Sequence, residues 1–211
     1  MTDSASLVFV VDDDDSVCRA LARLIRSAGY RVETFGSARA FLDRMPVDAC
    51  PACLVLDIQL PEVSGLELAR ELDTALPIIF ITGHGDIAMG VGAMKAGATD
   101  FLSKPVSDTD LLGAIAQALE RAVQARTIRR ELDALRARVE RLTPREREVM
   151  ALVVTGLLNK QVASELGTVE QTIKAHRKRV MAKMEATSLA QLIRIADKIG
   201  LSGVAQSRAQ R

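Results

Sequence analysis

Histidine and cysteine are scarce in this chain, with two and three copies in 211 residues. Cys18, Cys50 and Cys53 are an odd set, which argues against a disulfide framework. Cys50-Pro51-Ala52-Cys53 has redox-motif spacing, but Cys53 opens an apolar strand rather than a helix. Two cysteines and two distant histidines also make a poor zinc site, so packed or loop cysteines are the expectation. No apolar run approaches the roughly 20 residues that a membrane-spanning helix needs. The start, Met1-Thr2-Asp3-Ser4, lacks the positive charge of a secretory signal. These absences predict a cytoplasmic protein with no membrane partner.

Charge is present in nearly equal amounts of both signs, for a net +1, but it is unevenly placed. Residues 1–119 hold 9 Lys and Arg against 17 Asp and Glu, and residues 143–211 hold 12 against 6. An acidic front and a basic back suggest two domains with different partners, nucleic acid being the natural one for the basic end.

The first half alternates short apolar runs with helical periods. Strands are predicted at Leu7–Val11, Tyr30–Phe35, Cys53–Ile58, Ile78–Thr82 and Asp100–Ser103. Helices are predicted at Ser16–Ala28, Ser37–Met45, Gly65–Ala75, Asp86–Ala96 and Asp108–Ala122. Strict alternation of this kind implies an open parallel sheet with helices on both faces. Ligand chemistry in such sheets gathers at the carboxyl ends of the strands.

Those ends are informative. Val8-Phe9-Val10-Val11 runs straight into Asp12-Asp13-Asp14-Asp15, the third strand ends in Asp57, the fourth in Thr82, and Lys104 follows the fifth. Four adjacent carboxylates are either a solvated loop or part of a cation site. Convergence with Asp57, without His or Cys, favours a hard-cation site suited to Mg²⁺. Asp14 and Asp15 are expected in solvent, one of them capping the next helix.

Residues 123–142 form a helical linker. Ala125, Ile128, Leu132, Leu135, Val139 and Leu142 follow a 3-4-3-4-3 spacing. Such a stripe serves either a dimeric coiled coil or an amphipathic linker packed on its own domains. Thr143, Pro144 and Glu146 then make a helix start with a capping box. Helices are predicted at Pro144–Thr155, Asn159–Leu166, Glu170–Met184 and Ser188–Ile199. The second and third are joined by a short Gly-containing turn, and the third is rich in cations. That combination reads as a helix-turn-helix within residues 143–204, followed by a disordered tail, 205–211.

VVDDDDSV, LVLDIQLPEVSG, ITGHGD, MKAGATDF and LSKP together resemble the receiver domain of two-component response regulators. LTPREREVMALVVTGLLNKQVASELG and TIKAHRKRVMAKM resemble the LuxR-type DNA-binding domain of the FixJ/NarL family. The resemblance implies a CheY-like, doubly wound five-stranded receiver over 1–122 and an all-α, four-helix DNA-binding domain.

It also implies roles. Asp57 would accept a phosphoryl group from a sensor histidine kinase. Asp12, Asp13, Asp57 and the backbone carbonyl of Gln59 would hold Mg²⁺. Thr82 and Lys104 would bind phosphoryl oxygens, Phe101 would be the aromatic switch, and the Lys104–Pro105 bond would be cis. Lys174, Ala175 and Lys178 would face base edges of double-stranded DNA. Lys160, Thr172, His176, Arg179 and Lys183 would contact the backbone.

The expected function is a transcription regulator that forms a homodimer on phosphorylation, with RNA polymerase as a further partner. Slow self-dephosphorylation, to which Gln59 and His84 could contribute, is the only catalysis expected. The alternative is a phosphorylation-independent DNA-binding dimer with a vestigial receiver. A phosphatase of the haloacid-dehalogenase kind is disfavoured, because Gln59 stands where those enzymes carry a second Asp. Two features depart from the family pattern. Val169 stands where Ser or Thr usually caps the recognition helix, leaving Thr168 as a shifted cap. Gly90 and Gly92 lie inside the predicted helix Asp86–Ala96, each costing roughly 0.8–1 kcal/mol against alanine, which predicts a mobile helix.

Overall fold

The computed structural model describes residues 6–44, 50–61, 63–72, 76–83 and 97–201. The predicted helix Asp86–Ala96, His84 and the tail 205–211 lie outside these residues. The chain separates into two compact units, Met1–Thr127 and Ile128–Arg211.

The first unit is built on β1 (Leu7–Val11), β2 (Arg31–Phe35), β3 (Ala52–Asp57), β4 (Ile78–Thr82) and β5 (Asp100–Ser103), all parallel in the order β2-β1-β3-β4-β5. β1, β3 and β4 are buried along their whole length, which explains why they read as unbroken apolar runs. β2, at the edge, has no fully buried residue. Side chains of a strand point to opposite faces in turn, so each run feeds two cores. Phe9, Leu54, Leu56 and Phe80 pack with Phe41 of α2 (Ala38–Arg44) and Leu68 of α3 (Gly65–Glu71). Val8, Val10, Val55, Ile79 and Ile81 pack with Leu21 and Ile25 of α1 (Asp15–Ser27), and with Leu111, Ile115 and Ala118 of α4 (Asp108–Glu140).

Helix α4 runs from Asp108 to Glu140 without a break, so the predicted helix Asp108–Ala122 and the predicted helical linker are one helix. Its first part, to Ala122, carries the buried residues of the first unit. Its last turns, with Leu135 and Val139, pack in the core of the second unit. That unit also contains α5 (Pro144–Val153), α6 (Asn159–Glu165), α7 (Glu170–Lys183) and α8 (Leu189–Lys198). Their core is Val149, Met150, Val153, Val162, Ile173, Val180, Met184, Leu192 and Leu142. Gly167, with φ of 60°, makes the tight turn between α6 and α7.

The linker stripe is therefore divided. Leu135, Val139 and Leu142 belong to the helical core, while Ile128 is 59% exposed and Ala125 is exposed. The C-terminal half of the 3-4 spacing packs in the chain's own domain.

Candidate functional site

Two strand ends deliver the acidic pocket. Asp12 follows β1 and is 0% exposed, Asp57 ends β3 and is 5% exposed, and Asp13 stays in solvent. Carboxylate oxygens of Asp12, Asp13 and Asp57 lie within 4.8 Å of one another. Like charges this close repel, and the structure answers with one ammonium. Lys104 Nζ donates to Asp12 Oδ2 at 2.7 Å and to Asp57 Oδ2 at 2.6 Å. Lys104 follows β5, the Lys104–Pro105 peptide is cis, and Lys104 N donates to the Thr82 carbonyl at 2.7 Å. Thr82 ends β4 and is 0% exposed.

The remaining carboxylate lone pairs take backbone donors. Asp14 N donates to Asp12 Oδ1 at 3.0 Å, and Gln59 N donates to Asp57 Oδ1 at 3.0 Å. Burial pushes the Asp12 carboxyl above its ordinary range, outweighing the Lys104 ammonium and the Asp14 N–H that would lower it, and the nearby Asp57 charge adds to the rise. Burial pulls the Lys104 ammonium down, but its two carboxylate hydrogen bonds outweigh this and leave it raised. The pocket is thus a set of oxygen donors with one cation already among them. It matches the chemistry of a hard divalent ion, with no nitrogen or sulfur ligand in the cluster among the described residues.

The neighbours of the pocket each have a defined task. Asp14 is the N-cap of α1, accepting from Ser16 N at 2.7 Å, from Val17 N and from the Ser16 hydroxyl. These donors, the hydroxyl first, hold its carboxyl below the usual range. Asp14 is accordingly a cap and Asp13 the solvent-facing member of the acidic cluster. Phe101 is partly buried and packs against the Phe9 and Leu54 side of the sheet. Cys18 Sγ donates to the Asp12 carbonyl at 3.4 Å, and burial raises its thiol. Cys53 is buried within β3, its thiol pushed up to about 12 by burial alone. Such thiols are inert, as expected for packing residues. Gly65 is a site residue that sequence reading passes over. A Cβ there would stand 2.2 Å from the Asp57 carbonyl oxygen, and Gly65 N donates to the Ile58 carbonyl at 3.0 Å. Ser64 before it caps α3 in a box with Glu67, a signal readable in the sequence.

In the second unit, α7 buries Ile173 and Val180 and turns the opposite face outward. Gln171, Lys174, Ala175, Lys178, Arg179 and Ala182 are exposed, as is Lys160 on α6. Of the expected DNA-facing residues, Thr172, His176 and Lys183 are only half-exposed. His176 Nδ1 is buried and has no hydrogen-bond partner among the described residues. Lys183 Nζ donates to Glu146 at 2.6 Å and to the Arg141 carbonyl at 3.0 Å, tying the end of α7 to the start of α5. Glu146 is nearly enclosed, and also accepts from Thr143 N at 2.9 Å in the predicted capping box. Arg177 donates to Asn159 Oδ1 at 3.1 Å, and Arg145 to the Leu166 carbonyl at 2.6 Å. These bonds hold α6 and α7 against their neighbours. The N-cap of α7 is Val169 with no side-chain cap bond, so Thr168 does not shift the helix start.

Comparisons with known proteins agree with both halves. Residues 8–116 match the response regulator receiver domain family, and residues 140–196 match the luxR family of bacterial regulatory proteins. Nodulation protein W of Bradyrhizobium diazoefficiens is 53% identical over 201 residues, covering 93% of this chain and 88% of that protein. The transcriptional regulatory protein FixJ of Rhizobium meliloti is 44% identical over 192 residues, covering 90% and 94%. Among solved structures, the response regulator StyR has a TM-score of 0.79 at 46% identity, covering 92% of this chain and 99% of that one. Full-length FixJ from B. japonicum has a TM-score of 0.55 at 39% identity, covering 92% and 97%. With a strand-end acidic pocket in one unit and a cationic helix-turn-helix in the other, the chain belongs to the two-component response regulators that join a receiver domain to a LuxR-type DNA-binding domain and regulate transcription.

Proposed function

We propose that this protein is switched by phosphoryl transfer from a histidine kinase to Asp57, and that the switch controls dimerisation and promoter binding. The observation that carries this reading is the Lys104 ammonium, 2.6 Å from Asp57 Oδ2 and 2.7 Å from Asp12 Oδ2. Asp12, Asp13, Asp57 and the Gln59 carbonyl would hold Mg²⁺, which neutralises charge that builds up on a transferring phosphoryl group.

The chain's own residues do the rest. Asp57 presents an oxygen at the mouth of a buried strand end. Lys104 is a point charge within reach of any oxygen added there. Thr82 ends the adjacent strand and binds a phosphoryl oxygen after transfer, and Phe101 turns inward as the strand end shifts. Slow self-dephosphorylation at Asp57 reverses the state. The receiver comprises residues 1–122, the linker 123–142 and the DNA-binding domain 143–204, with 205–211 as a tail.

On the DNA side, Lys174, Ala175 and Lys178 face base edges from the exposed stripe of α7, while Lys160 and Arg179 meet phosphates. Thr172 and His176 reach the backbone from the flank of the helix. Lys183 acts through its bond to Glu146, holding the end of α7 in place, and approaches phosphate only from there. RNA polymerase is a further partner at the promoter.

Incubation with Mg²⁺ and acetyl phosphate tests the site. Intact mass should show one phosphoryl adduct on the wild type and none on Asp57→Asn. An adduct that persists in Asp57→Asn would move the acceptor elsewhere.

A further inference from the structure

The first turn of α7 presents two side chains ahead of Lys174, and their states differ. Glu170 Oε1 lies 3.0 Å from Lys174 Nζ, so each occupies the other. Gln171, the second residue of the helix, is exposed, and no hydrogen bond or ion pair among the described residues engages its amide. Helical spacing puts Gln171 on one face with Lys174, Ala175, Lys178 and Ala182, which follow it by three, four, seven and eleven residues. All five are exposed, while Ile173 and Val180 opposite are buried. In a helix-turn-helix, the N-terminal residues of the recognition helix meet the base edges.

We propose that Gln171 is a specificity-determining residue that reads an adenine in the major groove. This rests on the reading of α7 as the recognition helix. The glutamine amide carries an acceptor and a donor side by side. Oε1 accepts from adenine N6–H while Nε2 donates to N7, a pairing that no other base offers in that order. Lys174 and Lys178 are point charges that favour guanine or phosphate, and Ala175 offers only a methyl group. Gln171 is the neutral, two-way hydrogen-bonding side chain on the exposed line. An adenine in each half-site, next to the position met by Ala175 and Lys178, follows from its place one turn earlier on the helix.

The test uses the full chain, treated with Mg²⁺ and acetyl phosphate, and a pool of random-sequence duplexes. The wild type should select a site with a fixed adenine in each half. Replacing that adenine should weaken wild-type binding roughly tenfold. Gln171→Ala should bind the selected duplex more weakly but lose its preference at that one position, keeping the others. 7-Deazaadenine, which lacks N7, should weaken the wild type several-fold and leave Gln171→Ala unaffected. Gln171→Arg should move the preference at that position from adenine to guanine, since arginine pairs with guanine O6 and N7.

An unchanged preference in Gln171→Ala and Gln171→Arg at every position would overturn the proposal while leaving DNA binding intact. A wild type that binds no duplex in the pool would overturn the recognition-helix reading itself, and the proposal with it.

Discussion

Gly65 stands directly against the backbone of Asp57: a methyl group on its α-carbon would lie 2.2 Å from the Asp57 carbonyl oxygen and 3.0 Å from Ile58 Cα. Helix α3 thus begins in contact with the strand end that carries Asp57, the proposed phosphoacceptor. Both atoms met are backbone, so neither can swing aside. Gly65→Ala should destabilise the receiver by about 1–3 kcal/mol, as overpacking does. It should also slow adduct formation at Asp57, because relief requires the strand end to move. Thermal unfolding and the rate of mass gain with acetyl phosphate check both. A variant with wild-type stability and wild-type rate would show that the contact is not tight.

The Glu146–Lys183 bond gives the DNA-binding unit a pH dependence. The Lys183 ammonium and the Thr143 backbone N–H hold the Glu146 carboxyl below its ordinary value of 4.5. A carboxyl depressed in the folded state contributes stability above its unfolded pKa, and that stability drains away as pH falls through the folded one. The unit should therefore weaken on acidification below about pH 4.5. Glu146→Gln keeps the capping geometry but removes the charge. It should lose about 1–2 kcal/mol at pH 7, moderated by solvent around Lys183, and show a flatter acid limb. Chemical denaturation at pH 7 and pH 4 measures this. An identical acid limb in both proteins would place the titrating group elsewhere.

Val169 leaves α7 without a side-chain cap. It is 65% exposed with extended backbone, φ −96° and ψ 150°, geometry that a capping residue also adopts. Val169→Ser should stabilise the DNA-binding unit by about 1 kcal/mol. Thermal unfolding decides it, and no gain would mean that the first-turn N–H groups are already satisfied by solvent.

The divided linker stripe separates two roles for one spacing. Leu135→Ala and Val139→Ala should each destabilise the DNA-binding unit by about 1–2 kcal/mol, since both side chains are partly buried in its core. Ile128→Ala, at an exposed position, should stay within about 0.5 kcal/mol. Equal losses at all three positions, growing with protein concentration, would instead mark a coiled coil between chains.

Much of this was legible in the sequence, for identifiable reasons. β1, β3 and β4 are buried on both faces, so their apolar runs stand out, and Asp12, Asp57 and Thr82 stand at or just past their ends. Thr143 and Glu146 announce the start of α5 in the capping box the structure contains. The continuity of α4 across Ala122 was not legible, because its apolar period changes there while the helix does not. Arginine, glutamate and glutamine sustain a helix on propensity, and no Gly or Pro interrupts residues 114–143. The destination of the 3-4 spacing is a tertiary matter: a partner helix and the chain's own core ask for the same pattern. The role of Gly65 is hidden for the same reason. Its identity is visible, but the Asp57 carbonyl it must clear comes from another element.

The most direct test of the central claim is the molar mass of the full chain by size-exclusion light scattering, before and after Mg²⁺ and acetyl phosphate, for the wild type and Asp57→Asn. The account predicts a monomer that becomes a dimer on treatment, with Asp57→Asn remaining a monomer throughout. A dimer that is present before treatment and unchanged in Asp57→Asn would contradict it, and would make the acidic pocket idle in a DNA-binding protein that needs no switch.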